Sequence, residues 1–320
     1  MKDEKLQAYI DELTQIGKIK VITPASKGNI PVLAASGLSL AEAWENSLLA
    51  LYANGGSIRT QYDKKDSKGE FIDPPSLDCS MTMVIEAPLS EPMIHRCFPG
   101  GLDALEEYRQ EICDGIKDHW IRDKNNPDDK RWEYTYHERL FAYKVPGVKE
   151  PINQIEKLIV MLATSPETRR AQAITWQPWE DLGIGDPACL QSLWFRMQRD
   201  EMQVMRLNTN MRFRSRDSYD AAFMNTFAFI QLIDRIRSKV ESRINETVLL
   251  GRFVDESDSY HIYGSRLDDF RNRFLKRVRE KSFEDRTWTM NYARPIFEEA
   301  KPVIAEKIRK QDSQNLQHKK

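Results

Sequence analysis

The sequence lacks the features that mark secreted, membrane-spanning or polyanion-binding proteins. Its 320 residues include only four cysteines, with no CxxC pair and no metal-type spacing, which argues against a disulfide framework and a metal centre. No apolar run approaches the roughly 18 residues that span a bilayer. The first stretch, MKDEKLQAYIDEL, is too charged for a secretory signal. Basic and acidic residues number 48 and 49, so the net charge of −1 argues against a general nucleic-acid or membrane-surface binder. We therefore predict a cytoplasmic globular protein with reduced thiols.

Apolar periodicity predicts a mixture of helices and strands. Helical spacing covers residues 39–56, 101–121 (ending near Gly115), 152–164 and 220–240, the last apolar all round in its first half and so predicted to be buried. Strand patterns cover residues 80–88, 171–176, 190–197 and 203–215, and HIYG closes a short strand. The charged stretch 58–78 is predicted to be a mobile surface loop, and the end, AEKIRKQDSQNLQHKK, to be frayed or solvated. Helices and strands without strict βα alternation favour an α+β (mixed α/β) fold.

Cys189 lies in GDPACLQS (185–192), where a polar turn meets an apolar run. Free cysteine is commonly a buried, inert thiol, because reactivity needs both a stabilised thiolate and access. The turn that fixes the backbone before the sulfur, and the arginine-bearing segments near it in sequence, favour a nucleophile. Both interpretations stay open at this level.

Two arginine-rich segments flank Cys189 in the sequence. SPETRR contains Arg169 and Arg170, and RFRSRD contains Arg212, Arg214, Ser215, Arg216 and Asp217. Guanidinium groups beside a hydroxyl form a bidentate cradle for phosphate, although paired arginines next to a strand also occur as solvated edges. In residues 203–215, apolar side chains alternate with Arg and Asn, which predicts one packed and one polar face.

Three further polar residues lie among apolar neighbours. Asn225 falls in the first turns of the buried helix, where an unpaired amide costs about 1–3 kcal/mol and therefore needs a partner, either backbone or a uracil-like edge. His261 and Tyr263 are two residues apart on a strand and share a face. They form either a half-buried aromatic pair or two groups that bind a sugar hydroxyl.

These segments together resemble the thymidylate synthase family. The ordered set TRRAQAITWQPWED, Pro-Ala-Cys, RFRSRDSYDAAFMNTFAFIQLI and GRFVDESDSYHIY is similar in order and spacing, over about residues 40–270. DPPSLD, HRCFPGGLDALEEYRQE, DHWI and YTYHERL resemble the divergent branch found in archaea and in some bacteria and phages. The fold implied is a large mixed sheet packed by helices that dimerises through the sheet. The corresponding domains are an N-terminal extension (1–37), a catalytic domain (38–275) and a helical, basic C-terminal tail (276–320).

The resemblance also implies a role for each matched residue. Cys189 would add to C6 of the pyrimidine, and the catalytic carboxylate would be Glu106 or Glu107. The nucleotide would be bound by Arg59, Arg169, Arg170, Arg214 and Ser215 at the phosphate, Asn225 at the base, and His261 and Tyr263 at the sugar 3′-hydroxyl. The folate would be bound by Asp217, Trp120 and Tyr136. The implied assembly is a homodimer in which Arg169 and Arg170 serve the partner's site.

The implied reaction is C5 methylation of dUMP with 5,10-methylenetetrahydrofolate, or a related reduced pterin, and with no metal. In it, thiolate addition at C6 activates C5. The chain departs from the family pattern at Leu190, where a histidine is usual, and at Ala188, where a proline is usual. The end NLQHKK lacks the apolar residues that exclude water during hydride transfer, which favours an alternative, 5-hydroxymethylation of dUMP, dCMP or CMP by water. Asn225 favours uracil, because cytosine-specific relatives have Asp there. A non-catalytic nucleotide-binding homologue is a third possibility, against which Cys189 and the arginines argue.

Overall fold

The computed structural model describes residues 4–126 and 128–317, with side chains through residue 312. The helices are α1 (Glu4–Gln15), α2 (Leu40–Asn54), α3 (Leu102–Asp114), α4 (Tyr136–Phe141), α5 (Gln154–Thr164), α6 (Pro178–Asp181), α7 (Ala222–Ile244), α8 (Leu267–Asp269), α9 (Lys276–Glu280) and α10 (Met290–Gln317). The strands are β1 (Ile19–Thr23), β2 (Val32–Gly37), β3 (Gly56–Ile58), β4 (Ser76–Ile85), β5 (Ile94–His95), β6 (Gln172–Ile174), β7 (Leu190–Arg199), β8 (Met205–Phe213), β9 (Arg216–Asp217), β10 (Val248–Ile262) and β11 (Thr287–Trp288).

Local signals account for the ends of the principal helices. Ser39 caps α2 by accepting a hydrogen bond from the amide of Glu42, and Gly55 ends the helix. α3 ends where Gly115 adopts a left-handed conformation with φ of 67°, which favours glycine. The early residues of α7 from Phe227 to Ile230 are fully buried, as an all-round apolar segment predicts.

Contacts divide the chain into two units. Unit 1 contains residues 4–99, Asn210–Phe223 and Gly251–Met290, and unit 2 contains Gly100–Thr209, Met224–Leu250 and 291–317. In unit 1 the strand order is β1-β2-β4-β10-β8, with β3 on β4 and β9 on β10. In unit 2 the order is β8-β7-β6, and β8 itself runs from one unit into the other. The α+β prediction of a mixed sheet packed by helices is confirmed.

Unit 1 is built around α2, which packs on β2 and β4. The pairing of β2 with β4 is parallel, and that of β4 with β10 is antiparallel. Tyr9 of α1 donates to Glu45 of α2 at 3.1 Å, and Glu45 also binds His95 and Arg286. Because all three groups around the buried carboxylate are hydrogen-bonded to it, the charge is compensated inside the unit.

Two sequence predictions differ from the structure. The strand that HIYG closes is not short, because β10 runs over 15 residues. The C-terminal stretch is helical rather than frayed up to residue 317, because it continues α10, whereas its side chains through residue 312 are exposed or half-buried, as a solvated stretch predicts. In unit 2, Lys307 of this helix binds Glu107 of α3 at 2.8 Å, an ion pair that the charge pattern alone does not reveal. Residues 318–320 of that prediction lie outside the described residues.

Candidate active site

Cys189 differs from the other cysteines in its exposure. It is half-buried at the start of β7, whereas Cys79, Cys97 and Cys113 are buried. Burial raises the pKa of Cys97 and of Cys113 to about 11, and that of Cys79 further, so these three remain thiols at neutral pH. Among the described residues, Cys189 is therefore the one cysteine that is not buried, and its role as the nucleophile stays a prediction.

The backbone on both sides of Cys189 is held in place. The neighbouring residues Ala188 and Leu190 are fully buried. The amide side chain of Gln191 donates to the carbonyl of Ala188 at 2.8 Å. The amide of Leu190 donates to the hydroxyl of Tyr136 at 3.3 Å. These contacts fix the turn that the sequence predicted and leave the sulfur between two anchored residues.

The helix that carries Tyr136, α4, is held in unit 2 by a buried ion pair. Tyr136 is the first residue of this helix, which is capped by Thr135. One turn later, Arg139 makes two 3.0 Å hydrogen bonds to the carboxylate of Asp181 on α6. Burial raises the pKa of Tyr134 above its usual range. Electrostatic interactions with Tyr136 and Cys189 raise this pKa further. Tyr134 and Tyr136 thus form an aromatic wall, with ring centroids 5.6 Å apart, close to the cysteine.

The two carboxylates predicted for catalysis are both engaged on α3. Glu106 is buried and accepts two 2.7 Å hydrogen bonds from Arg109. Glu107 binds Lys117 at 2.6 Å and Lys307 at 2.8 Å, and these cations lower its pKa despite burial. Both side chains are therefore held by cations of the same unit. The catalytic role of either residue stays a prediction.

Glu111 is a third carboxyl that the sequence reasoning missed. Burial raises its pKa to about 7, with Lys117 opposing and Glu107 and Asp118 reinforcing the rise. No hydrogen bond of its side chain occurs among the described residues. Glu111 lies three residues after Tyr108 and four after Glu107, so it shares their face of α3. The helical spacing alone was the signal that could have added it to the candidates.

Asn225 is half-buried near the start of α7 and is bound to α3. Its Nδ2 donates to the hydroxyl of Tyr108 at 2.6 Å. This contact leaves the carbonyl oxygen and one N–H of the amide for a ligand. Tyr108 was not among the predicted site residues, because nothing in the sequence relates position 108 to position 225.

The remaining candidates of unit 2 lie near its surface. Arg169 and Arg170 are exposed, and their guanidinium groups have no hydrogen bond or ion pair within the described part of the chain. Only their backbone is engaged: the carbonyl of Arg169 accepts from the Trp194 indole at 3.0 Å. Trp120 is half-buried at the end of a short 3-10 turn, and its carbonyl accepts from the amide of Trp132 at 3.1 Å.

In unit 1 the three arginines of RFRSRD differ in burial and in partners. Arg216 is buried; its Nη1 donates to the carboxylate of Asp255 and its Nη2 donates to the carbonyl of Ala222 at 3.0 Å, so this residue stabilises the fold. Arg212 is exposed and pairs with Asp258 at 2.9 Å. Arg214 and Ser215 are half-buried between β8 and β9. The alternating pattern predicted for β8 is confirmed, since Met205, Leu207, Met211 and Phe213 are all buried.

Strand β10 brings His261 between two acidic residues of unit 1. His261 pairs in register with Asp78 of β4 and with Asp217 of β9. Burial lowers the pKa of His261 to about 4 and raises that of Asp217 to about 6. Asp217 accepts hydrogen bonds from the amides of Tyr219 at 3.1 Å and Asp220 at 2.8 Å.

Tyr263 and Arg59 complete the candidates of unit 1. The rings of His261 and Tyr263 lie 4.6 Å apart in an edge arrangement. Arg59 is exposed in the loop that the sequence predicted between β3 and β4. Its guanidinium lies 3.9 Å from the ring centroid of Phe71 and binds the carbonyl of Asp73 at 2.7 Å. A residue held this way can leave its partners at small cost.

The described residues contain no group of three or more His, Cys, Asp or Glu side chains that could hold a metal ion. Over the same residues, no helix combines the length and the apolar content needed to cross a membrane.

The fold and the motif order define a class of nucleotide-modifying enzyme. The structure is similar to a thermostable thymidylate synthase A from Bacillus subtilis, with a TM-score of 0.52 and 16% identity over 73% of this chain and 83% of that one. At this identity the likeness concerns the fold alone. The predicted mixed sheet packed by helices is thereby confirmed, and dimerisation through the sheet stays a prediction.

Sequence comparison identifies the family. The thymidylate synthase family model matches residues 102–295. The chain belongs to the thymidylate synthase family, and it is therefore an enzyme of a pyrimidine C5-methyltransferase family. A protein named "Putative thymidylate synthase" from Methanocaldococcus jannaschii is 31% identical over 56% of this chain and 71% of its own length. The protein of the same name from Methanosarcina acetivorans is 27% identical over 70% of this chain and 87% of its own length.

Proposed function

We propose that this enzyme methylates dUMP at C5 and uses 5,10-methylenetetrahydrofolate as both one-carbon donor and reductant, giving dTMP and dihydrofolate. The observation that carries the proposal is the placement of Cys189, the half-buried thiol, at an anchored turn in a chain of this family. We also propose that the enzyme is cytoplasmic, where the three other cysteines, which are buried and free, would be kept reduced.

The thiolate of Cys189 would add to C6 of the uracil ring. The new C–S bond leaves an enolate whose carbon C5 is nucleophilic, so C5 can accept the one-carbon unit. Loss of the C5 proton would then expel tetrahydrofolate and leave an exocyclic methylene. Hydride from the folate would convert this methylene to the methyl group as the C–S bond breaks and the cysteine leaves. The buried anchors Ala188 and Leu190 would keep the sulfur aimed at the ring throughout.

Asn225 would choose uracil over cytosine. Since its amide already donates one N–H to Tyr108, it keeps one donor and one acceptor. Uracil offers an acceptor at O4 and a donor at N3, whereas cytosine offers a donor at N4 and an acceptor at N3, the reverse order. The amide could match that reverse order only by turning over, which would break the N–H bond to Tyr108. A mismatch would leave buried polar groups unpaired, at a cost of about 1–3 kcal/mol.

A carboxyl of α3 would relay protons at O4 and C5. Among the three candidates, Glu111 fits this task best, because its pKa of about 7 lets it both accept and release a proton near neutral pH. Glu106 and Glu107 remain in the proposal as alternatives. Substituting each of the three by Gln and comparing kcat assigns the role, since only the acting carboxyl should cost roughly 10²–10⁴-fold.

The other substrate contacts are proposed residue by residue. Arg59, Arg214 and Ser215 would bind the 5′-phosphate, His261 and Tyr263 the sugar, and Asp217, Trp120 and Tyr136 the folate. Asp217 fits the N–H-rich edge of a pterin, because only one of its carboxylate oxygens is engaged by backbone amides.

Arg169 and Arg170 would complete the site of a second subunit. Both are exposed and both guanidinium groups are unengaged within the described part of the chain, which fits a phosphate contact made across a dimer interface. Mixing inactive Cys189→Ala with inactive Arg170→Ala tests this. If arginines are shared, each mixed dimer contains one intact site, and the mixture recovers about a quarter of the wild-type activity. If Arg170 serves its own subunit, the mixture stays inactive.

Hydroxymethylation is the second candidate. In this reaction water replaces hydride in the last step.

Product mass decides between the candidates. The enzyme is incubated with methylenetetrahydrofolate and dUMP, dCMP or CMP, and the nucleotide is analysed by mass spectrometry. Methylation adds CH₂ and produces dihydrofolate, whereas hydroxymethylation adds CH₂O without dihydrofolate. We expect methylated dUMP, no product with Cys189→Ala, and full activity with Cys113→Ala as the matched buried cysteine. Nucleotide binding without any product from the wild type would leave a non-catalytic homologue and refute the proposal.

A further inference from the structure

A short hydrogen-bonded chain in unit 1 connects Asp78, Ser259 and His261. The hydroxyl of Ser259 donates to Oδ2 of Asp78 at 2.8 Å and lies 3.1 Å from Nδ1 of His261. The register of β4 and β10 shifts between Ser257 and Tyr260, where the strand carries a bulge. This irregularity places Ser259 beside the cross-strand pair His261 and Asp78.

Within this group of three hydrogen-bonded residues, two atoms are buried without a hydrogen-bond partner among the described residues: Nε2 of His261 and Oδ1 of Asp78. The side chains are only 6% and 8% exposed, respectively. A buried polar atom left unpaired costs about 1–3 kcal/mol, so such atoms are uncommon away from functional sites. Nε2 therefore marks a position where a ligand atom belongs.

The number of donors and acceptors on each side chain determines which atom donates in each of the two hydrogen bonds. A carboxylate only accepts, so the single hydroxyl hydrogen of Ser259 is committed to Asp78. The Ser259 oxygen can then only accept from Nδ1 of His261, which must carry the ring hydrogen. Burial raises the pKa of Asp78 to about 6 and lowers that of His261 to about 4, so at pH 8 the carboxyl is ionised and the imidazole neutral.

We propose that Asp78 and Ser259 are positioning residues that hold His261 as the Nδ1–H tautomer, so that its bare Nε2 selects a ligand group that donates a hydrogen bond. Under the proposed function, on which this part rests, that group is the 3′-hydroxyl of the nucleotide sugar. A ligand lacking the hydroxyl would leave the buried Nε2 unpaired. The tautomer itself does not depend on the identity of the ligand.

The tautomer is measured directly in the full-length protein. Long-range ¹H–¹⁵N correlation spectra of histidine-labelled protein at pH 8 distinguish a protonated ring nitrogen from a bare one, and His261→Gln identifies the signal. We expect a protonated Nδ1 in the wild type and in Ser259→Thr, which keeps the hydroxyl. Ser259→Ala should lose the preference. Ser80→Ala, which removes another serine hydroxyl bonded between β4 and β10, should keep it. A protonated Nε2 in the wild type, or an unchanged spectrum in Ser259→Ala, overturns the proposal.

Binding measurements test whether Nε2 of His261 accepts a hydrogen bond from the sugar 3′-hydroxyl. Calorimetry compares dUMP with 2′,3′-dideoxyuridine 5′-monophosphate, which lacks only the 3′-hydroxyl. The wild type should bind the dideoxy compound about twofold to tenfold more weakly, as one hydrogen bond predicts. In Ser259→Ala the two affinities should become equal, and in Ser259→Thr the difference should return. A difference that persists in Ser259→Ala refutes the positioning role. Equal affinities in the wild type refute the sugar hydroxyl as the ligand, and so that part of the proposed function, whereas the spectrum still decides the tautomer.

Discussion

Replacing Glu111 by Gln should stabilise the protein at alkaline pH while it removes activity. Burial raises the pKa of Glu111 from its usual value of 4.5 to about 7. At 1.36 kcal/mol per unit, the ionised form is disfavoured in the folded state by at most about 3 kcal/mol, an upper bound because part of the side chain meets solvent. Gln has nearly the same shape and carries no charge.

The sign follows from proton binding. Between pH 4.5 and 7 the folded state holds the Glu111 proton while the unfolded state has released it, so the free energy of unfolding falls as pH rises through this window. Glu111→Gln abolishes that fall. The variant should match the wild type near pH 4.5 and exceed it above pH 7 by up to about 3 kcal/mol.

The assay is urea unfolding followed by circular dichroism at pH 5 and pH 8, together with kcat for dUMP. Glu107→Gln is the matched control on the same helix. The lysines that bind Glu107 lower its pKa, so it contributes stability above its unfolded pKa, and its loss should destabilise at pH 8. A Glu111→Gln protein that is less stable at pH 8, or whose stability gain is the same at both pH values, would contradict the raised pKa.

The remaining predictions concern the thiol and two ion pairs. Cys189→Ala should abolish turnover yet bind dUMP within about twofold of the wild type by calorimetry, because the thiolate acts after binding. Arg139→Met should lower the free energy of unfolding by about 3–5 kcal/mol in urea titrations, since it strands the buried carboxylate of Asp181; adding Asp181→Leu should restore part of the loss. Lys307→Met should cost less than about 1 kcal/mol, with a smaller effect in high salt, because this partner of Glu107 is half-exposed. If Lys307→Met lowered the free energy of unfolding as much as Arg139→Met, the conclusion that the buried ion pair contributes more than the half-exposed one would be refuted.

Local signals in the sequence were sufficient for the main elements. The cap at Ser39, the stop at Gly115 and the alternation along β8 depend on neighbouring residues and on period, and the structure has them where the pattern predicted. The order of the motifs around Cys189 was sufficient for the family, because it can be read without knowing any contact.

Only the tertiary structure separated residues that look alike in the sequence. Arg214 and Arg216 are two positions apart, yet Arg216 is buried by Asp255, 39 residues away. Helical spacing could have named Glu111 as a neighbour of Glu107, but only the folded structure shows that burial raises its pKa to about 7. The chain that orients His261 joins it to Asp78 across β4 and β10. Burial and cross-strand pairing set the charge and the hydrogen-bond direction of a side chain, and neither is a property of its neighbours along the sequence.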